Sequence, residues 1–331
     1  MKVKSIYLVL AAFAVSISIP FPASAQFGKM MKKKTETKDS SAQLREEMGE
    51  YKGVKHALGV SKFENQANWR GQWELGDNMA LMLESALFDS GRFVVLERQD
   101  LQTVFSEQDL QASGRAAESS TVAQTGLIRS AKYMATGAVT RVDQNTSGDS
   151  GGIGFQGVRI GGSKKKATIE LVVKLIDTTS GQVVASQRVE GKAGSSKLKV
   201  GFYKRGVSGS LGGFEKTSLG EAAQDCIVQA VMFIASEMED FKVTANVVMA
   251  KSEKMIVINR GEDYGVEVGN SFSIREKGEV LTDPDTGEIL DVFEGEVLGK
   301  VKVNRVSEKV SYCELIEGVM PKRGDSLEFD S

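Results

Sequence analysis

Few residues in this 331-residue chain have the chemistry of a catalytic or metal-binding group. Because it has one histidine, His56, and two cysteines, Cys226 and Cys313, a Cys/His metal cluster and a disulfide-rich scaffold are both excluded. The H-E-x-x-H motif of a zinc peptidase does not occur. Adjacent acids such as Glu262-Asp263 are typical of solvent-facing loops. We therefore predict no enzymatic activity, no metal and no other cofactor.

A glycine-rich stretch could in principle bind a nucleotide. Residues 152–157 read G-I-G-F-Q-G, the spacing of a dinucleotide-binding loop, but the residues that follow do not begin a helix. Gly157 and Gly162 have the spacing of a P-loop, but Ser163 stands where that motif requires lysine. We therefore reject both nucleotide interpretations.

The glycines cluster instead between strand-like segments. Seven lie within residues 148–162 and six within residues 194–213. This arrangement predicts two β-hairpins, near residues 138–176 and 194–217, with flexible glycine-rich tips. The candidate tip residues are Gly151, Gly152, Gly154, Gly157, Gly206 and Gly209.

The composition is that of an ordinary globular protein. The chain is 41% hydrophobic and 26% charged, which is enough apolar material for two modest cores. The formal net charge of −2 provides no overall attraction to nucleic acid, and we predict no such partner.

The first residues have the pattern of a secretory signal. Residues 1–25 combine two early lysines with an apolar run shorter than the roughly 20 residues that span a bilayer. Ala23-Ser24-Ala25 then forms a small-residue cleavage site before Gln26. We predict export to the periplasm, and no cysteine near the cleavage point could carry a lipid. Residues 26–50, rich in Lys, Ser, Thr and Glu, are expected to form a mobile arm.

Beyond the arm, the pattern predicts an α+β fold. Residues 51–240 read as an α/β domain, with strands expected at 55–63, 93–96, 133–142, 167–176 and 182–190, and helices at 77–89, 99–109, 119–130 and 218–239. Residues 243–331 read as a small all-β domain of short alternating strands. In that domain Asp283–Gly287 has the composition of a hairpin turn and lacks the spacing of a calcium loop.

Alternating apolar residues in the hairpin arms leave two interpretations open. Residues 167–175 and 198–202 each have one apolar and one polar face. Such strands occur in water-exposed hairpins and also in membrane β-barrels. A barrel cannot close from two hairpins in one chain, so the membrane interpretation requires a ring of subunits.

Several motifs together resemble those of one family. Residues 96–102 read L-E-R-Q-D-L-Q, similar to the family's L-E-R-Q-x-L-Q. Residues 133–137 resemble its strand before the first hairpin, and residues 151–154 resemble its G-G-V-G tip. Residues 171–181 resemble its L-R-V-V-N-x-S-T-G-E segment. Over about residues 50–240 the chain is thus similar to the curli-channel (CsgG/HfaB) family of outer-membrane secretion proteins.

The resemblance implies a periplasmic domain whose two hairpins merge with those of neighbouring copies into one wide barrel. Unfolded adhesin or amyloid-like subunits leave through such a barrel without nucleotide hydrolysis. Gly71-Gln72-Trp73 matches the family's motif before the pore constriction, although the loop that follows is short. Trp69 and Trp73 are candidate lumen aromatics, with packing in the core as the alternative.

Two functional hypotheses follow. The first is a homo-oligomeric, outer-membrane-associated component of export or surface-structure assembly. The alternative is a soluble periplasmic scaffold of the same fold that makes no pore and binds envelope components. Whether Cys226 and Cys313 pair is left open, because they lie in different expected domains.

Overall fold

The computed structural model describes residues 40–71, 73–117, 125–145, 153–155, 158–160, 166–195, 214, 217–276, 278, 280–287, 289–292 and 295–330. The expected signal segment and the first part of the expected arm lie outside these residues. Asp39–Ser331 forms one compact unit that contains two hydrophobic cores. No helix in the described ranges is long and apolar enough to cross a membrane.

The first core belongs to an α/β domain. Its elements are α1 (Ser40–Met48), β1 (His56–Val60), β2 (Glu64–Asn65), α2 (Leu75–Ser90), β3 (Phe93–Leu96), α3 (Leu101–Ala112), β4 (Tyr133–Asn145), β5 (Ile153–Phe155), β6 (Val158–Ile160), β7 (Lys166–Asp177), β8 (Val183–Lys192) and α4 (Ser218–Glu239). The main sheet has the order β3-β1-β4-β7-β8, with β2 beside β4. Strand β1 runs parallel to β3 and β4, whereas β4, β7 and β8 are antiparallel.

Helix α4 covers one face of this sheet, and its bounds confirm the sequence prediction. Its apolar positions recur at helical spacing and are buried throughout its length. The Thr217 hydroxyl caps its first turn by accepting a hydrogen bond from the Gly220 amide at 3.0 Å. Gly91, with φ of 73°, ends α2 in the left-handed conformation that favours glycine.

The alternating apolar residues of β7 face this core. Ala167, Ile169, Leu171, Val173 and Leu175 are all buried, and the Ile169 carbonyl lies 3.3 Å from the Cys226 sulfur of α4. The apolar face of residues 167–175 is therefore packed inside the domain, whereas residues 198–202 lie outside the described residues. Helix α4, which lies later in the chain, covers this apolar face. The sequence of one strand does not show which element will cover it.

Two further elements differ from the expectations. Residues 40–48 of the expected arm form α1, because Leu44 is buried in the first core and the Arg45 Nε donates to the Asp89 carbonyl at 2.6 Å. Residues 125–130, expected to end a helix, form a turn and irregular chain instead. The start of that expected helix, 118–124, lies outside the described residues.

The second core belongs to the expected all-β domain, which closes into a six-stranded barrel. Strands β9 (Thr244–Ser252), β10 (Met255–Ile258), β11 (Ser271–Arg275), β14 (Val297–Val306), β15 (Ser311–Gly318) and β16 (Ser326–Phe329) pair in the order β10-β15-β14-β11-β16-β9. Strands β12 (Val280–Thr282) and β13 (Ile289–Val292) form a hairpin outside it. The Asp283 carboxylate accepts hydrogen bonds from the amides of Asp285 and Thr286, as expected of a turn.

The two cores meet where the chain enters β1. Val54 is fully buried in the barrel core, and the Lys55 amide donates to the Tyr264 carbonyl at 2.7 Å. The hydrophobic core of the barrel therefore includes a side chain from the start of the α/β domain. The mixed sheet and the small barrel confirm the predicted fold class.

Candidate assembly surface

The predicted constriction residues lie in a tight turn before α2. The Asn65 side chain donates to the Trp69 carbonyl at 2.8 Å and accepts from the Trp69 amide at 3.2 Å. A β-carbon at Gly71 would overlap the Trp69 indole, so only glycine allows this ring position. The Trp73 and Phe214 rings lie 5.4 Å apart between centroids. Gln72 lies outside the described residues.

Both tryptophans are partly buried and pack against the first core. This packing supports the alternative that was stated for them, in which they stabilise the domain. The Trp69 indole N–H is nevertheless buried without a hydrogen-bond partner among the described residues. Their role in a constriction stays a prediction.

Of the predicted hairpin tips, the structure describes one. Gly154 lies in β5 and pairs with Arg159 of β6 in a two-stranded ribbon. Gly151, Gly152, Gly157, Gly206 and Gly209 lie outside the described residues. Strands β4 and β7 pair continuously as far as Asn145 and Lys166, so the arms of the first hairpin begin within the main sheet.

Helix α3 presents an uncovered apolar surface. None of its twelve residues is buried, whereas α2 buries one full side of its length. Leu101, Val104 and Phe105 recur at i, i+3 and i+4 and so share one side of the helix, which we name the α3 surface. Phe105 is 42% exposed. A helix this short is marginal in water unless its apolar side packs against something.

A second apolar surface lies at the opposite edge of the main sheet. Strand β8 pairs with no strand other than β7 within the described part of the chain, and side chains of α4 hydrogen-bond two backbone groups near its end. Val183 and Val184, which we name the β8 edge, are exposed at the start of this strand and point to opposite faces of the sheet. Helix α3 begins shortly after β3, the strand at the other edge of the sheet.

The two cysteine thiols are buried and are not suited to act as nucleophiles. Cys226 and Cys313 are free and buried in different cores, so the pairing left open by the sequence does not occur. Burial raises the pKa of each thiol to about 12, which keeps both protonated at neutral pH. Among the described residues, no three His, Cys, Asp or Glu side chains lie together as a metal site.

The sequence predicted a helix over residues 99–109, but not that its apolar residues Leu101, Val104 and Phe105 stay unburied. Periodicity shows which residues share a side of a helix, and only the fold shows what lies against it. The exposed valines of β8 have the same explanation, because an edge strand and a central strand have similar composition.

Comparison with known proteins gives several likenesses. No curated protein matches the chain. The hypothetical protein CT253 from Chlamydia trachomatis has a similar structure, with 12% identity and a TM-score of 0.32, covering 56% of this chain and 97% of that one. The PelC dodecamer from Paraburkholderia phytofirmans has 14% identity and a TM-score of 0.29, covering 55% and 91%. The lipoprotein GNA1162 from Neisseria meningitidis has 13% identity and a TM-score of 0.26, covering 55% and 98%.

Likenesses with TM-scores this low carry no argument about what the chain does. The sequence itself is more informative. Residues 40–257, about two thirds of the chain, match the family described as curli production assembly/transport component CsgG. The matched range spans the α/β domain and ends in the second strand of the barrel. The chain therefore belongs to the CsgG family of curli production assembly/transport components.

Proposed function

We propose that the chain is a homo-oligomeric component of the cell envelope that assembles or exports surface proteins without nucleotide hydrolysis. The observation that carries this proposal is the α3 surface, a helix without one buried residue in a chain of an assembly family. Contiguous exposed apolar surface of this kind marks an interaction site in soluble proteins.

A second copy of the chain is the occupant that fits this surface. The β8 edge lies at one edge of the sheet and α3 follows the strand at the other edge, so α3 of one copy can meet β8 of the next. Such a head-to-tail contact joins two different patches, and repeating it closes a ring when the rotation allows. The contact would cover Val104 and Phe105 with the β8 edge, where Val183 is exposed on one face of the strand and Val184 on the other.

Export through such a ring is the first candidate role. The glycine-rich segments near residues 151–157 and 206–209 would be contributed by each copy to a shared barrel, and Trp69 and Trp73 would line its narrow point. The clients would be adhesin or amyloid-like subunits, and the location would be the outer membrane facing the periplasm.

A scaffold that makes no pore is the second candidate role. The observation that favours it is the burial of the alternating face of β7 inside its own domain. Residues 167–175 are therefore already used by the domain and are not available to a membrane. A scaffold of this kind would still form rings and bind envelope components.

Oligomeric state tests the shared part of both roles. We expect the purified chain to elute as a large homo-oligomer by size exclusion with light scattering, and Phe105→Glu to elute as a monomer. The matched control is Ser106→Glu, which should assemble like the parent chain. Adjacent residues on a helix point about 100° apart, so Ser106 lies away from Phe105. The proposal fails if both variants assemble like the parent chain, or if both are monomeric.

Membrane extraction separates the two roles. Cells producing the chain are fractionated, and the membranes are washed with high salt and then with detergent. Release by salt supports the scaffold, and release by detergent alone supports the channel.

A further inference from the structure

A cavity lies where the α/β domain meets the barrel. It has a volume of about 420 Å³, within the range of small-molecule sites. One wall comes from the residues that lead into β1 and β4, and the other comes from the barrel around β9, β10 and the turn at Glu262–Tyr264. We name it the seam cavity. Neither the curli-type role nor the α3 surface uses it.

The lining of the seam cavity is strongly positive. Five cationic side chains line it and no carboxylate does, although the whole chain has a net charge of −2. The cations are Lys55, Arg129, Lys132, Lys242 and Arg260.

A neighbouring cavity shows that this charge is not a general property of the region. That cavity, of about 540 Å³, shares Lys132 and Lys242 with the first and adds Arg275. Three acidic residues, Asp240, Glu276 and Glu328, also line it and match its three cations. The excess of positive charge in the seam cavity is thus not shared by this neighbour.

Two of the five cations already have carboxylate partners just outside the lining. The Arg129 guanidinium donates to Asp263 Oδ2 at 2.5 Å, and Lys242 Nζ lies 3.2 Å from Glu328 Oε1. Lys55, Lys132 and Arg260 have no carboxylate partner among the residues that the structure describes. These three positive charges are left for a ligand to neutralise.

Arg260 and Lys132 are held in place without a counter-charge. The Arg260 guanidinium lies 4.4 Å from the centroid of the Tyr264 ring and donates from Nη1 to the Asn259 carbonyl at 3.1 Å. Its Nε–H is buried and has no acceptor in the described part of the protein. Lys132 Nζ lies 5.3 Å from the centroid of the Tyr133 ring. A fixed guanidinium with an unused donor is a ready partner for an oxyanion.

The pKa of His56 responds to the positive electrostatic potential inside the cavity. Its Nε2 lies 3.0 Å from the Phe241 carbonyl, which can only accept, so Nε2 carries the proton in the neutral ring. Burial, together with the charges of Lys132 and Arg260, lowers the pKa of His56 to about 4. Lys55 and Arg129 line the same space and add to the positive surroundings.

We propose that the seam cavity binds a small polyanion that carries phosphate groups, of the diphosphate type, between the α/β domain and the barrel. The three unpartnered cations call for more than one negative charge, and paired phosphates supply several oxygens to ammonium and guanidinium donors at once. Free soluble diphosphates carry such a group, and so does the headgroup of cardiolipin, which has two phosphates.

Calorimetry and NMR with inorganic pyrophosphate at constant ionic strength test this proposal. We expect saturable binding, and we expect the nitrogen signals of His56, the one histidine of the chain, to show a pKa that rises when pyrophosphate occupies the cavity. Lys132→Gln should weaken binding by roughly tenfold, the usual effect of losing one charged contact. Lys302→Gln, which removes an exposed lysine of β14, is the matched control and should leave affinity unchanged.

The outcomes decide the proposal and the source of the ligand. Sedimentation with cardiolipin vesicles that pyrophosphate competes away supports a lipid headgroup. Pyrophosphate binding without vesicle sedimentation supports a free phosphate. The proposal is overturned if millimolar pyrophosphate produces neither heat nor a change at His56, or if Lys132→Gln and Lys302→Gln weaken binding equally.

Discussion

His56 donates a hydrogen bond from Nε2 to the carbonyl oxygen of Phe241 at 3.0 Å. The contact joins the first strand of the sheet to the segment that leaves its last helix, 185 residues later. The Phe241 ring also stacks on Tyr133, with 4.9 Å between centroids. The entry to the barrel is therefore fixed against the sheet by one polar and one aromatic contact.

Acid should destabilise the protein through this histidine. The unfolded chain binds a proton at His56 below about pH 6.5, whereas the folded chain does so only below about pH 4. Unfolding therefore takes up a proton between these values, and stability falls as the pH decreases across this window, by up to about 3 kcal/mol. Denaturant unfolding at pH 7 and pH 4.5 measures this loss. His56→Gln keeps an N–H donor and should show a smaller loss, and an equal loss would contradict the assignment.

Helix α1 should contribute to the stability of the folded domain. Leu44 is 1% exposed in the first core, and Leu44→Ala is expected to cost about 2–5 kcal/mol in the free energy of unfolding. Glu46→Ala, on the exposed side of the same helix, should change it by less than about 0.5 kcal/mol. Chemical denaturation compares the two. Equal and small effects would mean that residues 40–48 behave as the arm the composition predicted.

Gly191 should tolerate no side chain. A β-carbon there would lie 2.7 Å from the Cys226 amide nitrogen and 2.8 Å from its sulfur, closer than packed atoms allow. Gly191→Ala is therefore expected to lower stability by at least about 1–3 kcal/mol, because β8 and α4 must move apart. Lys192→Ala is the control, because it changes the next residue of β8 and removes only an exposed ion pair with Glu190. A shift in melting temperature for both variants alike would contradict the close packing.

The two thiols should be inert in the native protein. Burial raises the pKa of Cys226 and Cys313 to about 12, so neither forms the reactive thiolate at pH 8. A chromogenic disulfide reagent should titrate no thiol in buffer and two in denaturant. Rapid reaction of either thiol in buffer would show that its core opens.

The sequence predicted elements where local pattern is sufficient. Helix α4 carries apolar residues along its full length, and its bounds follow from that pattern. Helix α1 was missed because most of its residues are polar, and Leu44 is the one fully buried side chain among those that the structure describes in it. The alternation in residues 167–175 correctly predicted a strand, but the surface that covers it is α4, which no local pattern reveals.

The seam cavity could not be predicted from local sequence patterns either. Its cations are separated by up to 205 residues of chain, between Lys55 and Arg260, and are brought together only by the contact of sheet and barrel. The helix that carries the α3 surface was predicted from the sequence, at residues 99–109. Its exposure depends on what the rest of the fold leaves uncovered.

Cross-linking between copies tests the head-to-tail contact most directly. Val104→Cys places a thiol on the α3 surface and Val184→Cys places one on the β8 edge, while the native thiols stay buried. With a short bis-maleimide, a mixture of the two single variants should give a covalent dimer. The double variant should give a ladder that ends at one closed size. Dimers from Val104→Cys alone, or no cross-linked species in any sample, would contradict assembly through these two surfaces.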